Sequence, residues 1–220
     1  MRRQRHDMIA ETRAKLIAAA RQAFGTVGYA EASMDDFTAG AGLTRGALYH
    51  HFGDKKGLLQ AVIEEIDAEM TARLNRVSAV APSRWEGFVE ECVAYIQMAL
   101  EPEIQRIMFR DGPAVLGDIS QWPSNNGCIA ALSESLRQLK TEGAIVDIDE
   151  EVAARLINGA SSHAALWIAN SDKPEETSQR AVDGFRALLE GLRVDNSRGP
   201  VDVWAVESSP RNRSTKPHSP

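Results

Sequence analysis

Cysteine is nearly absent from this 220-residue chain, and long apolar runs are missing from it altogether. Only Cys92 and Cys128 occur, too few for a disulfide framework and without zinc-ligand spacing, so a reducing cytoplasm is the simplest setting. Leu16 to Phe24 is the apolar stretch nearest the N-terminus. It is interrupted by Arg21 and Gln22 and is too short for a signal peptide or a membrane span, so no membrane partner is expected. No strand alternation and no internal repeat appear. Glycine-rich phosphate loops, nucleophile–base spacings and metal motifs are missing as well, which leaves no footing for an enzyme, a metal or a cofactor. The adjacent His50 and His51 point to different sides of a helix and do not make a metal pair.

What is present is an uneven distribution of charge. The formal net charge is -6. Up to Gly57, however, nine Lys/Arg stand against six Asp/Glu, and beyond it 16 stand against 25. A basic head on an acidic body is what a small nucleic-acid module joined to a second domain would show. The expected organisation is a DNA-binding domain at 1–57, opening with a basic arm at 1–8, then a body at 58–195 and a disordered tail at 196–220, in which only Val201 to Val206 could dock. The arm reads first as a frayed terminus, with a segment that reaches DNA phosphate or the minor groove as the other reading.

The head is organised around 33–59. Ser33 is a good N-cap, with Asp36 placed to answer it, and the helix it opens should run to about Gly40. Gly42 supplies a turn, and Thr44 caps a second short helix from Arg45 to about His51. Leu48 and Phe52 pack inward with Phe37 and Leu43, which leaves Thr44, Arg45, Gly46, Ala47, Tyr49 and His50 outward around a helix N-terminus. Such a donor-rich surface suits a polyanion, because the first backbone N–H groups have no partner within the helix. Two helices at a glycine turn form the helix-turn-helix pattern. Arg45 is suited to a bidentate guanine contact and Ala47 to a thymine methyl. Thr44 and Tyr49 are suited to phosphate, with domain packing as the other reading of Tyr49. His50 suits either phosphate or base, and Lys56 adds attraction that is not sequence-specific.

The run from Ala41 to Phe52, with Lys55 and Leu58-Leu59 behind it and Ala23-Phe24 followed by Gly28-Tyr29 before it, resembles the DNA-binding domain of the TetR family of bacterial transcriptional regulators. The resemblance implies a phosphate contact at Lys55. It also implies a double-stranded operator, a homodimer and a small-molecule effector, with repression as the default. Lys56 departs from the family pattern, which usually has an acid there. Thr38 and Gly40 stand where small helix formers are usual, and Gly costs a helix up to ~1 kcal/mol relative to Ala.

Elsewhere the pattern is all-helical: 9–27, then 55 to about 80, long enough at nearly 40 Å to join both domains. Ser83 and Glu86 form a capping box opening the next helix. A shorter helix, about 102–110, should stop at Gly112-Pro113, with 114–126 irregular. Helices follow at 125–141, 149–170 and from Pro174. Trp85, Phe88, Cys92, Met108, Phe109, Trp122, His163 and Trp167 are candidates to line an apolar cavity, His163 reading also as a packed or interface residue. The resemblance implies that the last two helices pair with their symmetry mates. Ile157, Ala160, Ala164, Ile168, Phe185, Leu188 and Leu192 are the candidate interface. Two other functions find little support: a helical enzyme using His163 with an acid or Cys128 has no motif, and an adaptor without DNA affinity is opposed by the basic head.

Overall fold

The structure is a computed structural model describing residues 2–40 and 42–194, with side chains described for 7–35, 37–40 and 42–194. The expected tail therefore lies outside the described residues. Among these residues there are ten α-helical segments. They are α1 (Arg2–Val27), α2 (Met34–Gly40), α3 (Arg45–Phe52), α4 (Lys55–Ala79), α5 (Arg84–Gln97), α6 (Pro102–Arg106), α7 (Gly112–Leu116), α8 (Pro123–Thr141), α9 (Glu150–Ala169) and α10 (Pro174–Glu190). An isolated antiparallel bridge, Ile145 to Arg193, ties the connection after α8 to the end of α10.

Four of the helices start at a side-chain cap. Thr44 accepts from the Ala47 amide, Asp54 from Gly57 at 2.7 Å, Ser83 from Glu86 at 3.2 Å and Asp149 from Val152 at 2.9 Å, each side chain satisfying a donor the helix cannot. Ser33 instead accepts from the Asp35 amide at 3.2 Å. The first helix begins at Arg2 and not at Ile9, so the expected irregular arm is helical from its second residue. Nothing between Arg2 and Ile9 breaks a helix, and Arg and Gln favour one.

Helices α1 to α3 close over Leu16, Ile17, Ala20, Phe24, Phe37 and Leu48, all buried. Phe24 meets the edge of Phe37 with ring centroids 5.3 Å apart. Removing a fully buried ring of this kind costs about 3–5 kcal/mol. The core continues without a break into the body because α4, about 38 Å long, buries Leu58, Leu59 and Val62 toward the head and Ile66 and Met70 farther along.

The expected stop at Gly112-Pro113 is not a stop. A π-helical turn at Ile107–Asp111 leads directly into α7, and a 3-10 turn at Ile119–Gln121 leads to α8, which begins two residues earlier than expected. The cause is Pro113. A proline inside a regular helix loses a hydrogen bond and collides with the preceding turn. Widening the helix to let the Gly112 amide reach the Ile107 carbonyl places Pro113 in the first turn of α7, where no amide is needed. Gly112 is the only residue type that fits, because a Cβ there would lie 2.8 Å from the Ile107 oxygen, 2.8 Å from Trp122 Cη2 and 3.1 Å from Ile63 Cδ1.

Gly112→Ala should therefore lower stability by about 1–3 kcal/mol through overpacking. Gly127→Ala, at an α8 position with no atom within 4 Å of the new methyl, should be neutral or stabilising by up to ~1 kcal/mol. Thermal denaturation of both variants checks this; equal melting temperatures would contradict it.

Candidate nucleic-acid interface and internal cavity

The start of α3 is presented to solvent. Thr44, Arg45, Gly46 and His50 are exposed, Tyr49 is 53% exposed, and Ala47 is half-buried. Leu48 alone on this helix is fully buried and fixes which side faces out. The exposed Tyr49 ring is not part of the small core, which answers the packing alternative for that residue.

Two of the expected contact residues are already engaged. Arg45 forms a two-pronged ion pair with Asp35, through Nε and a terminal nitrogen. The pair holds Asp35 below the usual carboxylate range through hydrogen bonding from Arg45. Both partners are exposed, so the pair adds little stability; its effect is to fix the guanidinium beside the start of α3. Lys55 donates to the Ala30 carbonyl at 3.2 Å, and its ammonium lies 4.5 Å from the Tyr29 ring centroid. Lys56 is exposed and Ser33 half-buried.

A cavity of about 490 Å³ lies among α4, α5, α8, α9 and the 107–122 segment. Of the eight candidates, Phe88, Cys92, Met108, Phe109 and Trp122 line it. Trp85, His163 and Trp167 do not. Trp85 sits in a separate groove against Arg186 and Arg193, while His163 and Trp167 face outward on α9. Sequence reasoning missed the polar part of the wall: Asp67 on α4, Glu91 and Tyr95 on α5, Asn125 and Cys128 on α8, and Asn158, Ser161 and Ser162 on α9. Asn158 donates to Asn125 at 2.7 Å, tying α9 to α8. Burial pushes the Tyr95 hydroxyl and the Cys92 thiol up to about 12 and raises Cys128. Both shifts disfavour the thiolate that redox chemistry needs.

The wall and the head share one stretch of chain. Met108 and Phe109 line the cavity, while on either side of them Arg106 donates to the Thr26 carbonyl at 2.6 Å and Asp111 accepts from the Tyr29 amide at 2.7 Å. Arg110 donates to the Ala169 carbonyl at 2.6 Å and so reaches the end of α9. Beside this stretch, Arg21 of α1 bonds Glu103 of α6 at 2.8 and 2.9 Å, Glu69 of α4 at 2.7 and 2.8 Å, and Glu65 at 3.2 Å. Gly28, at φ 87°, serves twice: it turns the chain out of α1, and a Cβ there would lie 3.1 Å from the Arg106 guanidinium.

The candidate dimer residues separate by face. Ile157, Ala164, Ile168 and Phe185 are buried within the chain, Ala160 and Leu192 are half-buried, and only Leu188 is well exposed, at 69%. The small residues on α9 meet its own neighbours, so the criterion of close contact selected the inward side. The outward side carries Val152, Leu156, His163 and Trp167, with Leu156 68% exposed. A three- or four-residue recurrence of exposed apolar groups was the signal available for it.

Residues 16–62 match the family described as bacterial regulatory proteins, tetR family, and residues 85–192 match the tetracyclin repressor-like C-terminal domain. A TetR-family transcriptional regulator of known structure from Pectobacterium atrosepticum is 48% identical, with 86% of this chain and 97% of that one covered, and a TM-score of 0.80. The transposon Tn10 TetC protein of Escherichia coli is 30% identical over 185 residues, 81% of this chain and 90% of that protein. The HTH-type transcriptional repressor AcnR of Corynebacterium glutamicum is 30% identical over 105 residues, 48% of this chain and 55% of that protein. The family, the Pectobacterium protein and AcnR are regulators of transcription, not enzymes. Among the described residues no helix is long and apolar enough to cross a membrane.

Asp67 yields a test of the cavity's electrostatics. Burial holds its carboxyl above the usual carboxylate range, opposed by a hydrogen bond from Ser124. A raised folded value means that ionisation costs the folded state stability. That cost is absent below the unfolded value of about 3.9 and grows as pH rises through the shifted one. Asp67→Asn should thus melt higher than the native chain at pH 7, by about 2–4 °C for each kcal/mol relieved, and the two should converge as pH falls toward 3.5. A lower melting temperature at pH 7, or a gain that is independent of pH, would contradict this.

Proposed function

The chain belongs to the TetR family of bacterial transcriptional regulators, and on that premise we propose that it is a ligand-responsive repressor that binds a palindromic operator as a homodimer. The observation that carries the reading is the solvent-facing start of α3, capped by Thr44 and held on a closed three-helix core. Its first amides and the outward Thr44, Tyr49 and His50 suit phosphate, Arg45 suits a guanine edge and Ala47 a thymine methyl. Lys55, at the start of α4, leaves Ala30 and Tyr29 for a phosphate on binding; Lys56 adds a sequence-independent contact. Asp35 keeps Arg45 aligned with the groove until a base replaces it. That AcnR is named a repressor supports the sign of regulation.

Dimerisation uses the outward side of α9 and α10, where Leu156, Trp167 and Leu188 are large apolar side chains left exposed among the described residues. Two reading helices related by a two-fold axis then meet successive major-groove faces about 34 to 36 Å apart. The effector occupies the cavity. Since Met108 and Phe109 are part of its wall, occupancy shifts the 107–111 turn and with it the bonds to Thr26 and Tyr29, so the two states of the head differ in DNA affinity.

Selection of bound duplexes from a random pool should recover a palindrome. Against the recovered site, Arg45→Ala should lose about 1–3 kcal/mol and relax the preference at one base position in each half-site. Lys56→Ala should weaken all duplexes alike and reduce the salt slope by about one. Recovery of asymmetric or random sequences, or unchanged affinity in Arg45→Ala, would overturn the proposal.

A further inference from the structure

The cavity has an unbalanced wall. Two carboxylates, Asp67 and Glu91, border it, and among the described residues that line it there is no lysine, arginine or histidine. The rest is largely aromatic and apolar: Phe88, Tyr95, Phe109 and Trp122, with the Tyr95 and Phe109 rings edge to face at 6.1 Å. Carboxylates taken out of water normally come with a cation, because an uncompensated charge in such surroundings is costly. Among the described residues the basic side chains lie elsewhere, Arg21, Arg73, Arg84 and Arg186 each paired with a carboxylate outside the cavity.

We infer that the molecule accommodated by this cavity is an organic cation, an ammonium or amidinium group on an apolar, partly aromatic body. The inference rests on the reading of the cavity as the effector site. The charged group lies between Asp67 and Glu91, where it supplies the counter-charge the wall lacks. Aromatic faces are the second attraction, since a cation within about 6 Å of a ring centroid is drawn to its negative face. The volume of about 490 Å³ suits a drug-sized body, and Asn125, Asn158, Ser161 and Ser162 offer hydrogen bonds to its polar substituents. An anionic effector meets repulsion from both carboxylates. A neutral one leaves them uncompensated. Burial is the chief cause of the raised Tyr95, Cys92 and Cys128 groups, and the two carboxylates add to it, Asp67 at Tyr95 and Cys128 and Glu91 at Cys92 and Cys128.

Three probes of matched shape test this by calorimetric titration of the full chain: 2-(naphthalen-2-yl)ethyl-trimethylammonium, its neutral tert-butyl analogue, and 3-(naphthalen-2-yl)propanoate. The cation should bind at least about tenfold tighter than the neutral analogue, a difference of roughly 1.4 kcal/mol, and the anion weakest. In the Asp67→Asn/Glu91→Gln double variant the cation should fall to the level of the neutral probe while the neutral probe keeps its affinity, which also establishes that the cavity has kept its shape. Equal or tighter binding of the neutral or anionic probe, a cation preference that survives in the double variant, or no binding of any probe to the native chain would overturn the inference. Operator binding measured with each saturating probe separates this from the wider reading. A cation that binds as expected without altering operator affinity leaves the class of ligand standing and removes its role as effector. A neutral or anionic probe that binds more tightly than the cation and releases the operator does the reverse.

Discussion

A proline that cannot sit inside a regular helix sets the geometry on which the rest depends. Pro113 forces the preceding turn to widen, and Gly112 allows the widened turn to lie against Ile63 and Trp122 without a methyl in the way. The side chains of residues 106–111 are thereby divided. Met108 and Phe109 face the cavity; Arg106 and Asp111 hold backbone groups at the end of α1 and just after it; Arg110 holds the end of α9. A ligand that pushes on this turn therefore acts on the head through direct bonds. A regular helix over the same residues would rotate these side chains to other faces and lose the connection.

Around this turn the head is held by charge as well as by the shared core. Arg21 takes carboxylates from α4 and α6 at once, and within the body Arg73 takes Glu101 beside them. Ion pairs at partly exposed sites are individually weak, about 0–1 kcal/mol, but they are directional and reform readily after a small displacement. Such a joint is compatible with the proposed ligand response, in which a difference of a few kcal/mol is all that a ligand can supply. The apolar continuity runs through α4, whose first turns belong to the core of the head and whose later turns belong to the body. One helix thus links the body to the core beneath α3.

The head was legible in its sequence because local rules decide it: caps at Thr44 and Asp54, a glycine turn, and one buried leucine orienting α3. Helix existence in the body was equally plain from periodicity. Three features were not legible. The π turn arises from a conflict between Pro113 and its surroundings, and a glycine followed by a proline reads locally as a stop. The polar wall of the cavity comes from four helices, and Asp67 on α4 reads as a solvated acid until α8 is placed over it. Which side of α9 lies inward was the third, because small residues favour close packing on either side; burial, which distinguishes Ile157 from Leu156, is a tertiary property.

The claim that the cavity wall and the anchor of the head are one element is tested most directly at a single amide. Tyr29 donates its backbone N–H to Asp111, and exchange of that proton with solvent reports how often the bond opens. Leu132→Trp adds bulk from the opposite, α8 wall of the cavity, far from the head in sequence. The account predicts that Tyr29 exchange quickens by about tenfold or more, a weakening of roughly 1.4 kcal/mol, while amides in α10 keep their protection. Unchanged Tyr29 exchange in a folded Leu132→Trp chain would contradict it.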